Sequence, residues 1–550
     1  MEFAVKKTVF RNRPGAALII AMIFIVLFST FAISMTTMCT TNAQLSKNQH
    51  LVNNALASVH SGIDCGKYII STTLPLLEQT GQNFVTETQA DTVWSTLCQN
   101  IDNTTFCSQV NVYTARFNDE LGSGDEIVVP QIHFGSGGTS FTIRFYRYDS
   151  DPLIIKLQST GADGEVTRDA TIDLQITKDA EVLNYAIAGR GRLWITGDST
   201  IYGDIFSSWD RPEISPFNMT NDSAVIGTIN TVLERADIEA HGYQMETVDE
   251  DGNPIDANGD PLGSNYEDRY YGPYDEIQGY HQGINYNQPY QDMPGMSIDD
   301  YDTTVYYDTV MGEGGSGSIS ASSNIRREYF PHAAGDYTKP QTSSSRRLDR
   351  HTYENQTFTN ARLPDNRNAL FKNCTFNEVL YIDCYKNTSS YYNNVRFENC
   401  TFNGIIVTDV PQSLKWKENC LYFTGEATFD NQSSIQEATI LAPHFNVNLG
   451  NTNPEQSDNN ILTGAIVGGI VDIRGNAQIY GTIISMCDTT QWSSGYVTNI
   501  GATLEDGGSE TTEPGDVGTI EITPDEDKML PSGITSPIII KPLQDTYTEI

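Results

Sequence analysis

The sequence predicts an α+β, mainly β chain: a long N-terminal transmembrane α-helix packed on an antiparallel sheet, followed by a parallel β-helix, or solenoid. Three observations carry this. An uncharged apolar run, Ala16 to Ile33, passes into an amphipathic helical pattern. Between residues 106 and 180 the apolar period switches to two. Beyond residue 180 the chain repeats itself at spacings that suit stacked rungs.

The run AALIIAMIFIVLFSTFAI holds no charge and no proline, so a helix passes through it with its backbone bonds intact. It spans roughly 27 Å, close to the thickness of a bilayer's hydrocarbon core. Lys6, Lys7, Arg11 and Arg13 precede it. Positive charge stays on the cytoplasmic side, which sends the bulk of the chain outward. Leu45, Val52, Leu56, Val59 and Ile63 then recur at helical spacing. One helix to about Thr72, with Pro75 beyond it, accounts for this; two helices broken near Gly62 or Gly66 are the alternative.

The boundary Arg13-Pro14-Gly15-Ala16-Ala17-Leu18 resembles the class III signal of type IV pilins and pseudopilins. It is most similar to minor pilins with a PilX-type N-terminal domain. The resemblance covers roughly the first sixty residues. It implies cleavage after Gly15 by a prepilin peptidase, methylation of the new N-terminal Ala16, and helix packing against other pilin or pseudopilin subunits. It also implies a single-pass protein of the bacterial inner membrane whose C-terminal part is periplasmic or extracellular, in a type IV pilus or type II secretion-like filament. One departure matters: major pilins carry Glu at the fifth mature position, and here it is Ile20. That departure points away from the repeating subunit and toward the filament tip. A cleaved secretory peptide is the competing reading, with Thr41-Asn42-Ala43 as its site. Met38 before Cys39 does not suit a lipoprotein.

A short helix is expected at Glu87–Cys98, then strands at Phe141–Tyr146, Leu153–Leu157 and Ala170–Ile176, with Gly161-Ala-Asp-Gly164 as a hairpin turn. Ser159-Thr-Gly161 with Val166-Thr-Arg168 resembles the last hairpin of PilX-type proteins. The expected organisation is a basic leader (1–15), the transmembrane and amphipathic helix (16–75) and a pilin-like β domain (76–180). A β-helix domain (181–207 and 351–490) follows, interrupted by an acidic Tyr/Gly-rich insertion (208–350), and an acidic C-terminal tail (491–550) ends the chain. Within that tail, Ile538-Ile539-Ile540 is read as a strand capping the last rung.

Two repeats support the solenoid. Gly191–Ser207 aligns without gaps to Gly469–Ser485, matching Ile195/Ile473, Ile201/Ile479, Tyr202/Tyr480, Gly203/Gly481, Ile205/Ile483 and Ser207/Ser485. Each copy reads as three short strands parted by glycine turns. Between them, Phe371-Lys-Asn-Cys-Thr-Phe-Asn377 recurs as Phe397-Glu-Asn-Cys-Thr-Phe-Asn403, with weaker echoes at Glu418-Asn419-Cys420 and Glu354-Asn355-Gln356. Asn373, Asn399 and Asn419 are expected to form a turn ladder, and Cys374, Cys400 and Cys420 an interior stack of thiols. Rungs lie about 4.8 Å apart, so a vertical disulfide is a second possibility for that stack. A β-sandwich with chance similarity is the alternative fold.

The chain has 550 residues, 70 acidic against 33 basic, and a net charge of -37. Phosphates would be repelled, which excludes nucleic acid as a partner. Of nine cysteines, Cys98 and Cys107 are expected to bridge a loop, by analogy with small exported modules. No C-x-x-C pair suggests a zinc or redox centre, and no cofactor is implied. The one metal candidate is a weak calcium loop, Asp256, Asn258, Asp260 and Glu267. There Pro261 stands where an EF-hand needs Gly, and an acidic hairpin explains it equally. Arg346, Arg347 and Arg350 are expected to fold onto the acidic insertion or to be solvated.

Asp383, Asp409, Arg396 and Lys415 fall in or near rungs, the place where polysaccharide-processing β-helices keep their acids, but no spacing puts two carboxylates side by side. His351 and His444 are isolated, and no nucleophile elbow or metalloprotease motif occurs. The expectation is therefore a non-enzymatic subunit serving assembly, tip formation or adhesion to an extracellular surface or glycan. The alternative is a membrane-anchored cell-surface β-helix protein that binds or processes polysaccharide, and a third is an exported structural protein with a cleaved signal.

Overall fold

The computed structural model describes residues 14–73, 79–82, 84–101, 105–106, 110–134, 138–197, 199–212, 215–219, 223–240, 247–248, 254–255, 277, 279–289, 293–294, 302–312, 314–329, 347–365, 367–384, 393–410, 419–429, 440–449, 459–473, 476–486, 497–501, 519–524 and 530–549. The leader charges Lys6, Lys7, Arg11 and Arg13, the calcium candidate Asp256, Asn258, Asp260 and Glu267, Lys415 and the partner thiol Cys107 lie outside these residues. The chain divides into two compact units, one built from Met1–Leu77, Thr86–Ile176 and Ile540–Ile550, the other from Glu78–Val85 and Thr177–Ile539.

In the first unit a single helix runs unbroken from Pro14 to Thr73, 60 residues, or about 90 Å. Its second half buries Ala55, Ser58, Val59, Gly62, Ile63, Gly66, Ile69 and Ile70, a stripe at helical spacing. The glycines that suggested a break have another use. A Cβ on Gly62 would stand 2.1 Å from Ser159 Oγ, and one on Gly66 would stand 2.7 Å from a Leu157 methyl. From the strand side, a Cβ on Gly161 would stand 2.3 Å from the Ala55 carbonyl oxygen. The helix backbone receives strand side chains at Gly62 and Gly66, and the strand backbone meets the helix backbone at Gly161.

That sheet contains Tyr113–Asp119, Gly122–His133, Thr139–Tyr148, Ile154–Asp163 and Val166–Lys178 in consecutive antiparallel order. The expected strands all fall within it. Its hairpin turn sits at Gly164 (φ +62°), while Gly161 and Ala162 are inside a strand, paired with Arg168 and Thr167. The helix Glu87–Ile101 opens with a capping box: Thr86 Oγ1 accepts from Gln89 N–H at 3.3 Å, and Gln89 Oε1 accepts from Thr86 N–H at 3.0 Å. The edge beside Val166–Lys178 is taken by Ser536–Glu549, the last strand of the chain. Residues 536–549 are therefore not a tail, and Ile538–Ile540 do not cap a rung. In sequence, the β-helix is an insertion between the last two strands of this sheet.

The second unit is a parallel β-helix whose rungs are not in chain order. Its rung strands pair in parallel on three faces, with Ile325–Tyr329 antiparallel to Arg347–Glu354, and a separate antiparallel pair joins Thr247–Val248 to Pro254–Ile255. The chain enters at Tyr185–Gly189, in the middle of the stack. It builds one rung with Arg192–Ile195, Ser199–Tyr202 and Asp204–Ser207, and a second with Phe217–Met219, Ala224–Ile226 and Ile229–Thr231. It then crosses to the far end, where the helix Thr304–Met311 buries Tyr306 and Val310 against Val379 and Tyr381. From Arg347 onward it stacks rungs back toward its own start.

The two directions meet in a composite rung made of Val497–Ile500, Ile520–Thr523 and the entry strand Tyr185–Gly189. The long repeat is explained by this. Its two copies are rungs on either side of the composite one, and their matched isoleucines form three buried columns. These are Ile473–Ile500–Ile195, Ile479–Ile522–Ile201 and Ile483–Ile187–Ile205. The matched serines make the same bond in both copies, Ser207 Oγ to the Gly191 carbonyl at 2.8 Å and Ser485 Oγ to the Gly469 carbonyl at 3.0 Å. Two boundaries change accordingly. Rungs continue past 208 through Phe217–Thr231 and Ile284–Asn285, and past 490 through Val497–Ile500 and Ile520–Thr523.

Candidate functional site

Two regions hold the sequence-predicted functional residues. The first is the N-terminal half of the long helix. Gly15 and every described side chain from Ala17 to Leu45 are exposed, including Ile20 at the position of interest. Thr30, Thr36, Thr37 and Thr40 each donate their hydroxyl to a carbonyl four residues back, which satisfies those four groups without water. Among the described residues this is the one helix long and apolar enough to cross a membrane, with a mean hydropathy of 2.7 over its best window. Such a helix serves a membrane anchor or a signal sequence.

The second region is the end of the β-helix around the F-x-N-C-T-F repeat. Its corners are left-handed: φ is +54° at Asn355, +48° at Asn373 and +54° at Asn399. These follow Glu354, Lys372 and Glu398, which stand in register. Asn373 Nδ2 donates to Asn355 Oδ1 at 3.3 Å, continuing the ladder. The next corner is Gly425 (φ +70°), after Thr424, the partner of Glu398. The ladder is thus Asn355, Asn373, Asn399, Gly425, and Asn419 is not part of it. Asn419 is buried, and its side-chain oxygen accepts from the Asn393 N–H at 3.4 Å instead.

The thiol stack is corrected for the same reason. Cys374 and Cys400 occupy equivalent positions on adjacent rungs, both buried, as free thiols. Cys374 Sγ contacts the Lys372 carbonyl at 3.3 Å, and Cys400 Sγ the Phe371 carbonyl at 3.4 Å. The hydrogen bond between the two thiols draws Cys374 down to about 7, and that bond together with burial pushes Cys400 up. Cys420 stands elsewhere, paired with Asn394 and Asn446. Burial pushes it up to about 12.

Two aromatic columns flank these thiols and were not read from the sequence. Tyr353, Phe371, Phe397 and Phe423 stack with centroids 4.9, 5.6 and 5.0 Å apart. Phe358, Phe376, Phe402 and Phe429 stack at 5.3, 5.2 and 4.5 Å, and the columns meet edge to face. The signal was present in both phenylalanines of each repeat copy. Arg350 is also placed differently from expectation. It is buried inside the end rung, donating to the carbonyls of Ala369 at 3.2 Å and Asn394 at 2.6 Å, and to the Asn394 side-chain oxygen.

Spacing alone does not place two carboxylates together, yet Asp383 and Asp409 fall on neighbouring rungs. Each lies one position beyond a paired residue, Ile382 and Thr408. Asp383 is buried and ion-paired with Arg362. Burial, assisted by the charge of Asp383, holds the Asp409 carboxyl above its usual range, against the Val410 N–H it accepts. The helix Thr304–Met311 and the Tyr307 and Tyr381 rings stand close by, and Arg362 lies 5.4 Å from the Tyr307 ring centroid. Arg396 is on a different face, donating to Thr424 Oγ1 at 3.0 Å. His351 Nδ1 donates to the Ser322 carbonyl, 2.7 Å away. Among the described residues no group of three or more His, Cys, Asp or Glu is placed to hold a metal ion.

No protein-family profile and no curated protein matches the chain. Among solved structures it is similar to the competence-associated pilin ComZ from Thermus thermophilus, with 11% identity over 91% of this chain and 97% of that one, at a TM-score of 0.26. It is also similar to a glycosylated ice-binding protein (LeIBP) from Arctic yeast, with 9% identity over 61% of this chain and 97% of that one, at a TM-score of 0.18. At these scores neither likeness bears on function.

Proposed function

We propose that this chain is a minor pilin-like or pseudopilin-like structural subunit of a type IV pilus or type II secretion-like filament. The observation that supports it best is the division of one unbroken helix into two kinds of surface. A plain membrane anchor needs about twenty apolar residues and nothing after them. Here the same helix continues for about forty more residues and buries a stripe of small and branched residues against an antiparallel sheet. A bare apolar half held rigidly by a folded half suits a subunit that leaves the lipid to pack beside sister helices. The basic leader and the Gly15-Ala16 boundary agree with it, and Ile20 favours a tip over the repeating position.

In this proposal the prepilin peptidase cuts after Gly15 in the bacterial inner membrane, and other pilins cover the apolar half. The β-helix is carried into the periplasm or beyond for assembly, tip formation or adhesion, without catalysis. Mass spectrometry of the mature N-terminus is the test. A chain starting at N-methylated Ala16, and a Gly15→Leu variant that keeps its leader, are the expected results. An intact Met1, or a start near Gln44, overturns the proposal.

A further inference from the structure

Tyr202 and Tyr480 are matched positions of the long repeat, and the β-helix registers bring them onto one face. Tyr480 pairs with Thr523, and Tyr202 follows Ile201, the partner of Ile522. The three therefore form one outward column, Tyr480–Thr523–Tyr202. The tyrosines are 45% and 43% exposed, while the residues beside them in sequence, Ile479 and Ile201, are buried in the isoleucine columns. The rings stand on a rigid face rather than on a loop. Two residues upstream runs a parallel outward column, Gln478–Glu521–Thr200.

We infer that this face is a binding platform for an uncharged, extended β-1,4-linked glycan, with Tyr202 and Tyr480 stacking against alternate sugar rings. The tyrosines are two strand spacings apart, about 9.5 Å. That is close to the disaccharide repeat of such a chain, in which every second ring presents the same face. An aromatic ring offers apolar area for the sugar's C–H face and keeps a hydroxyl for its rim. The amide of Gln478 and the hydroxyls of Thr523 and Thr200 supply donors and acceptors alongside. Charge selects the glycan class. In a chain of net charge -37, Glu521 is the single residue charged at neutral pH among the six residues of these columns. An anionic polymer would meet an unfavourable field, and a cationic one, though drawn by the net charge, would find a single carboxylate to pair with on this face.

This deepens the adhesion arm of the proposed function, yet its test needs neither leader cleavage nor a filament. Purified full-length protein in detergent micelles is run in affinity gels containing hydroxyethyl cellulose and titrated with cellohexaose and chitohexaose. Wild type is expected to be retarded and to bind. Tyr202→Ala and Tyr480→Ala are each expected to weaken binding roughly tenfold. The double variant should lose it, and Tyr→Phe at both positions should restore it, with circular dichroism unchanged throughout. Absence of binding by wild type overturns the inference, as does binding unaffected in the double variant or a preference for polygalacturonate. Self-association that disappears in the double variant, without glycan binding, would instead make the face a contact between copies and also overturn it. None of these outcomes touches the N-terminal mass test.

Discussion

At the corners of the β-helix, asparagine does what few other residues can. A left-handed backbone costs most side chains about 1–2 kcal/mol, and asparagine and glycine least. Asn399 adds a bond across the corner, its side-chain oxygen accepting from the Glu426 N–H at 3.0 Å. Asn399→Ala should therefore lower the unfolding free energy by about 1–2 kcal/mol. Asn399→Gly should cost less than the alanine, because it restores the backbone and loses the bond alone. Urea unfolding of the full chain followed by circular dichroism checks the order; equal losses would remove backbone strain as the cause. Asn373 and Asn399 were legible because they recur with their neighbours. Asn419 misled because a three-residue echo has the right letters without the right register: Glu398 pairs with Thr424, and the corner falls at Gly425.

Among elements, the long helix shows how a pattern can be read correctly and its glycines wrongly. Its length and buried stripe follow from spacing alone, and Pro75 limits it. On sequence alone Gly62 and Gly66 are candidates for breaks, because glycine lowers helix stability by about 1 kcal/mol. Their use is visible only once Ser159 and Leu157 are packed on them. Gly161 closes the same contact from the sheet. Gly161→Val would drive a side chain into the Ala55 carbonyl and the Val59 N–H, and should destabilise this unit by about 1–3 kcal/mol. Hydrogen exchange is the measurement: protection should fall in residues 55–70 and 154–178 and stay unchanged in the β-helix rungs. A uniform loss along the chain would contradict it.

On the scale of the whole chain, both units are completed by segments distant in sequence. The antiparallel sheet takes its edge strand from Ser536–Glu549, where Thr546 Oγ1 accepts from the Asp173 N–H at 2.9 Å. The β-helix closes where Ile522 sits between Ile479 and Ile201. That rung joins the rungs built first to those built last, so damage there should spread. Ile522→Ala should cost about 2–5 kcal/mol. It should lower protection against exchange in both 199–231 and 459–485, whereas Leu363→Ala at the far end should loosen its own neighbourhood first. Loss confined to residues 519–524 would show that the rungs do not act as one stack.

By itself, the sequence determined what nearest neighbours and periodicity can encode: the apolar helix and its basic leader, the alternating strands after residue 110, and the repeated units that demand a solenoid. Each is a local pattern whose burial can be satisfied in one way. The tertiary structure decided which repeats are neighbours, which carboxylates and tyrosines share a face, and where the last strand goes. Those depend on register and on contacts across hundreds of residues, where a rung's free edges accept any strand of the right length and polarity. Ile520–Thr523 and Ser536–Glu549 both follow the last rung repeat in sequence, and only the edge left open in each unit assigns one to the stack and the other to the sheet.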